Sequence, residues 1–237
     1  MNHYNLNDHG IYITQLDSNI LPLFDDLAYY SQLLLTKSRG QNIDYRNGSY
    51  LRHQRNVQEI VARGNDLNVS RIYKIDLIYS WLHDILTPYL LESDINSYYG
   101  SVYHHSISWF QYNLPCHNCS TRGPHVDYPG YRSQIKYILY LDDVSIDHGP
   151  FCHFIGSNTI ESYRRIRHHY DSTGLTDIPS SIISEMGWSP LDCIGGKGSL
   201  ILSDVGAVHF GKPQLDKTRR ILMGSLFPYP ITQNIGL

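Results

Sequence analysis

Apolar and polar positions along this chain follow two regimes that change near Gly100. Before it, apolar residues recur mostly at helical spacing. After it, they alternate or run together through β-branched and aromatic residues. GIYIT, residues 10–14, predicts a short strand. Asp17 or Ser18 then offers an N-cap and Pro22 a first-turn residue for a helix through LPLFDDLAYYSQLLL. After a polar connection from Lys37 to Gly48, YLRHQRNVQEIVARG predicts a second helix stopping at Gly64. From Ser70 a third helix is expected. Its stripe is Ile75, Ile78, Leu82, Ile85 and Tyr89, widened by Leu77, Trp81 and Leu86.

The later regime reads as strands broken by turns: SVYHHSISWFQYN, QIKYILYLDDV, PFCHFIG, GSLILSDV, AVHFG and RRILMGSLFPY. Residues 158–187 are polar and partly helical by the same reading. Helices followed by strands predict an α+β domain, a sandwich or barrel buttressed by helices. Closure into a jelly roll would protect the strand edges. A single domain over residues 1–237 is expected, with 1–98 as mainly helical support and 99–232 as the jelly roll.

Composition narrows the partners. A net charge of -3, with 17% charged residues and no run of Lys or Arg, leaves no electrostatic footprint for nucleic acid or an anionic membrane. A small molecule or another protein is the expected partner, and the sequence leaves the oligomeric state open. The segment Ile72–Leu91 is interrupted by Lys74, Asp76, His83, Asp84 and Pro88, so no membrane span is expected. MNHYNLNDHG lacks the pattern of a signal peptide, and a cytoplasmic location is expected.

The chemistry is concentrated in GPHVDYPG, residues 123–130. On a strand, His125 and Asp127 would share a face while Val126 packs the other way. His209, in LILSDVGAVHFGKP, is the candidate third ligand. Two histidines and one carboxylate with open positions suit a non-haem Fe(II) oxygenase. Arg219, at the start of RRILMGSLF, could present its fork to the far carboxylate of a bound 2-oxo acid. A competing reading uses CHNC, Cys116 to Cys119, as half of a zinc site completed by Cys152 and Cys193, or as a redox pair. A cupin-like metal-binding barrel without 2-oxoglutarate is another.

HVD, then KYILYLDDVSIDHGPFCHFIGSN, then GKGSLILSDVGAVHFG, then TRRILMGSLFPY together resemble the phytanoyl-CoA dioxygenase family of Fe(II)/2-oxoglutarate-dependent oxygenases. The likeness spans roughly residues 100–230. It implies a double-stranded β-helix, with His125, Asp127 and His209 as iron ligands and Arg219 pairing with 2-oxoglutarate. The family's usual spacing falls on Arg220 instead. The resemblance departs at Asn158, where the family has histidine, and at His148, where it has asparagine. Fe(II), 2-oxoglutarate and O2 are the implied cofactor and co-substrates. The implied reaction releases succinate and CO2 while hydroxylating an unactivated C–H bond of an amino acid or natural-product intermediate. Desaturation, epoxidation or ring formation are alternative outcomes of the same centre. Related halogenases carry glycine or alanine in place of the carboxylate, so Asp127 implies oxidation without halide. Gln111, Tyr137 and Lys136 are candidate 2-oxoglutarate contacts, and Tyr128, Tyr131, Arg52 and Arg165 are candidate substrate contacts.

Overall fold

A computed structural model describes residues 4–37, 43–44, 49–50, 69–115 and 123–228. The chain begins with α1 (Leu6–His9), β1 (Ile11–Gln15) and α2 (Leu21–Lys37), followed by β2 (Ile43–Asp44), β3 (Ser49–Tyr50) and β4 (Val69–Tyr73). Two helices, α3 (Leu82–Glu92) and α4 (Ile95–Tyr99), lead into β5 (Tyr103–Asn113), β6 (Ile135–Tyr140) and β7 (Phe151–Ile155). Then come α5 (Ile160–Thr173), α6 (Ser180–Met186), β8 (Ser189–Cys193), β9 (Ser199–Asp204), β10 (His209–Gly211) and β11 (Arg219–Pro228).

The strands form a larger sheet in the order β1-β9-β6-β11-β5-β4-β2-β3 and a smaller one, β10-β7-β8. Pairing is antiparallel except between β2 and β4. Period-two alternation sorts the larger sheet into two faces. Ile138, Ile201 and Ile221 face the smaller sheet and pack with Tyr140, Phe151 and Cys193. Leu139, Leu200, Leu202 and Leu222 face the other way, against Phe24 and Leu27 of α2 and Leu82, Leu86 and Leu90 of α3. On the far side of the smaller sheet, Cys152 and Phe154 meet Ile166 of α5 and Ile182 of α6. Helices therefore cover both outer faces, and the inner faces of the sheets meet each other.

Local chemistry explains most boundaries. Asp17 accepts the Asn19 N–H at 2.9 Å, capping a 3-10 turn that feeds α2. α2 then buries Phe24, Leu27, Ala28 and Leu35, a helical stripe over the sheet. Gly174 adopts φ 68 at the end of α5, where its N–H reaches the Tyr170 carbonyl.

Three expectations are corrected. Residues from Ser70 do not start a helix: Val69–Tyr73 pairs with β5, and α3 begins only at Leu82. Ile72 and Ile75, both fully buried, stand three apart, a helical spacing, but Lys74 at φ 60 breaks the chain between them. The HVD segment is irregular chain bridged to His209, with Pro124 and Pro129 removing the donors that a strand needs. The expected strands did not include β8, where Pro190 is tolerated because β8 is an edge strand. The helix expected over residues 50–64 lies outside the described residues. No helix among the described residues is long and apolar enough to cross a membrane.

Candidate metal centre and its surroundings

Two backbone bonds bring distant parts of the sequence together. The His125 N–H donates to the His209 carbonyl at 3.0 Å, and the His209 N–H donates back to His125 at 2.9 Å. The Asp127 N–H donates to the Val205 carbonyl at 2.9 Å, so the loop before His209 holds both ends of HVD. Val126 points away into the cluster outside the smaller sheet.

Each imidazole is oriented by the backbone two residues earlier. His125 Nδ1 meets the Gly123 carbonyl at 2.8 Å, and His209 Nδ1 meets the Ala207 carbonyl at 3.0 Å. A carbonyl only accepts, so these bonds place a proton on Nδ1, and in a neutral ring the lone pair is then on Nε2. The His125 Nε2 lies 3.8 Å from Asp127 Oδ1, and the His209 Nε2 lies 3.8 Å from Asp127 Oδ2. All three residues offer ligand atoms within 4.8 Å of one another, the sole such group found among the described residues.

Protonation states favour a cation. Burial, reinforced by His125, depresses His209 to about 3, so its ring is neutral at ordinary pH. Burial alone would raise the Asp127 carboxyl. The Lys136 ammonium in contact with it, helped by both histidines, instead holds it well below the usual carboxylate range. Two imidazole nitrogens and an ionised carboxylate are the donor set of a divalent first-row metal. His153, the register partner of His209, is already satisfied, with Nδ1 3.0 Å from Ser203 Oγ and Nε2 3.0 Å from the His9 carbonyl.

Arg219 shares this interior. It is 5% exposed, and its Nε is buried with no hydrogen-bond partner. A Cβ at Gly211, two residues past His209 on β10, would lie 3.8 Å from Arg219 Nη2. A guanidinium buried without an anion is costly unless a ligand supplies one. Arg220 faces the other way. Its Nε lies 3.0 Å from Asp142 Oδ2, and its backbone N–H donates to the same oxygen at 3.0 Å.

Strand alternation separates the remaining candidates. Lys136 faces inward onto Asp127, whereas Tyr137 lies on the opposite face, fully buried against the helical layer, 2.6 Å from Ser108 Oγ. Tyr137 as a 2-oxoglutarate contact is thereby corrected. Gln111 faces inward, but its amide joins Arg71 Nε at 2.8 Å and Asn113 Oδ1 at 2.9 Å. Tyr131 packs edge-on against Tyr163 at 5.0 Å, and Tyr128 is 54% exposed. Arg165 pairs with Glu185 at 2.8 Å on the outer surface of α5, away from the interior. Arg52, Cys116 and Cys119 lie outside the described residues. Cys152 and Cys193 are free thiols packed into different clusters, Cys152 outside the smaller sheet and Cys193 between the sheets.

Two inward residues escaped the sequence reading. Asn113 is 4% exposed and stands opposite Arg219 in register. Trp109 is 9% exposed with an unpartnered Nε1–H, and Lys136 Nζ lies 5.9 Å from its ring centroid. Both follow from Gln111 by steps of two along β5, a signal that alternation alone could have supplied.

A further group braces the loop that leads to His209. Asp204, fully buried at the end of β9, accepts hydroxyls from Tyr98 of α4 and Tyr163 of α5, and the Gly206 N–H at 2.8 Å.

No family model and no curated protein matches the chain. Solved structures do. The chain's fold is similar to that of several solved proteins. SnoN, a non-heme alpha ketoglutarate dependent epimerase from nogalamycin biosynthesis, aligns with a TM-score of 0.61 at 12% identity, over 94% of this chain and 80% of its own. EctD from S. alaskensis, solved with bound Fe, aligns at 0.63 and 11% identity, over 94% and 74%. AviO1 from Streptomyces viridochromogenes Tue57 aligns at 0.60 and 12% identity, over 95% and 93%. At such identities the likeness is one of fold.

Proposed function

We propose that this chain is an Fe(II)- and 2-oxoglutarate-dependent oxygenase built on a double-stranded β-helix, hydroxylating a C–H bond of a small molecule. The observation that carries the reading is Arg219, a buried guanidinium without an anion, in the same interior as two imidazoles and a carboxylate whose ligand atoms lie within 4.8 Å of one another. A metal site alone would not require it. A dicarboxylate that reaches from metal to guanidinium does.

His125, Asp127 and His209 would hold Fe(II), and Arg219 with Asn113 would hold the distal carboxylate of 2-oxoglutarate. With O2, the bound pair supplies an oxidant able to break an unactivated C–H bond, releasing succinate and CO2. The chain contributes orientation and packing. The Gly123 and Ala207 carbonyls fix the imidazole tautomers. Lys136 holds one oxygen of Asp127. Ile138, Ile201, Ile221 and Phe151 form the apolar core between the sheets, and Phe151 packs 5.6 Å from the His209 ring. The Trp109 Nε1–H is the donor left for the substrate's own polar group.

The test is anaerobic reconstitution with Fe(II), followed by 2-oxoglutarate and O2. Expected are one iron per chain and slow succinate formation that an accepted substrate accelerates. Iron binding without succinate would replace this reading with a cupin-like metal protein. The mass of the converted substrate fixes the outcome: one added oxygen for hydroxylation, two lost hydrogens for desaturation or ring closure, and no change for epimerisation.

A further inference from the structure

Arg71, Gln111 and Asn113 form a hydrogen-bond chain with a fixed direction. Arg71 and Gln111 are register partners across β4 and β5, and Arg71 Nε–H donates to Gln111 Oε1 at 2.8 Å. A guanidinium has donors only, so this bond decides which end of the Gln111 amide faces β4. The opposite end, Nε2, then donates to Asn113 Oδ1 at 2.9 Å. With Oδ1 engaged, the end of Asn113 left available is its NH2 group. Asn113 stands opposite Arg219, whose Nε also has no partner. Gln111 and Asn113 are 7% and 4% exposed, so neither amide turns freely into water.

We infer that Arg71, acting through Gln111, sets the polarity of Asn113 so that donors alone converge beside Arg219, fitting the pocket to a carboxylate. Gln111 and Arg71 are positioning residues in this scheme, and Asn113 touches the ligand. The inference rests on 2-oxoglutarate as the occupant. Its physical content is that an Asn113 turned the other way would aim a carbonyl oxygen at a carboxylate, a repulsive arrangement.

The experiment is a double-mutant cycle on Fe(II)-loaded protein, with 2-oxoglutarate affinity measured anaerobically by calorimetry. Asn113→Ala should weaken binding roughly tenfold to a hundredfold, the worth of one hydrogen bond to a charged group. Gln111→Met keeps the Asn113 donors but releases their orientation, and should weaken binding about threefold to tenfold. The double variant should bind no more weakly than Asn113→Ala, because Gln111 acts only through Asn113. Independent, additive losses would overturn the inference, as would wild-type affinity in Gln111→Met. Melting curves for each variant show whether the fold persists, and Arg71→Met provides a second entry to the same cycle. Wild-type protein that binds no 2-oxoglutarate, or an Arg219→Met variant that binds it undiminished, would instead defeat the proposed function.

Discussion

Replacing Arg219 by methionine should make the protein more stable and less able to bind its co-substrate. The guanidinium is 5% exposed, its Nε has no acceptor, and burial already lowers its pKa. Methionine has a similar stem and no charge to desolvate. Substituting a buried ionic group with an apolar one of similar volume has gained roughly 1–4 kcal/mol in other proteins. In a chain of this size, at about 2–4 °C per kcal/mol, that corresponds to a melting temperature about 2–16 °C higher without ligand. Binding should move the opposite way. Two charge-assisted bonds from the fork, at about 1.5–3 kcal/mol each, correspond to a loss of roughly a hundredfold or more in 2-oxoglutarate affinity. The assay is differential scanning calorimetry with and without 2-oxoglutarate. Wild-type protein should gain about 2.7 kcal/mol when ligand is at a hundred times its Kd, and the variant almost nothing at that concentration. A variant that melts lower without ligand, or binds 2-oxoglutarate within about threefold of wild type, would refute the reasoning. Arg220→Ala is the matched control: it loses the Asp142 pair on the other face and should leave the affinity within about twofold.

Three other outcomes are expected. His125→Ala and Asp127→Ala should each abolish tight Fe(II) binding and succinate formation while retaining the circular dichroism spectrum; turnover surviving either change would dismantle the triad. Trp109→Phe should raise the KM for the accepted substrate about fivefold to thirtyfold, the cost of leaving a buried acceptor unpaired, and should spare substrate-free 2-oxoglutarate turnover; an unchanged KM would remove Trp109 from the substrate contacts. His105, stacked at 4.1 Å on His83 and facing Tyr103 and Tyr137, has both ring nitrogens buried without partners. Burial, then His83 and His104, lowers it to about 4, so its contribution to stability is complete above pH 6.5 and lost as pH falls towards 4. His105→Phe should flatten that part of the melting-temperature profile, and an unaltered slope would show that His105 does not carry it.

Much of the larger sheet was legible in the sequence because its strands carry residues whose size and branching fix the period, as in KYILY and SLILS. Faces were harder to read. Lys136 and Tyr137 are neighbours in sequence but belong to opposite sides of β6, and only pairing with β11 decides which side meets Asp127. Arg219 and Arg220 posed the same problem. Burial separates them: one is enclosed without an acceptor, and the other reaches Asp142. β4 was hidden because Ile72 and Ile75 keep a helical spacing, and what decides is the edge of β5 that Val69–Tyr73 pairs with. HVD resembled a strand because its side-chain alternation is strand-like, although two backbone bonds to His209, and not a ladder, hold it in place.

Asp204 ties together parts that otherwise touch little. Tyr98 comes from the helical layer behind the larger sheet and Tyr163 from the layer behind the smaller one, and both end on a single carboxylate. The same side chain holds the Gly206 N–H in the loop whose carbonyls receive Asp127 and His209. The edge of the two sheets therefore behaves like a riveted seam, in which one outer layer cannot slide over the other without disturbing the proposed iron ligands. Accommodation of differently shaped substrates must then be found away from this rivet. Evolution of new specificity in this fold is expected to leave Asp204 untouched and to rework the chain on the opposite side of the mouth.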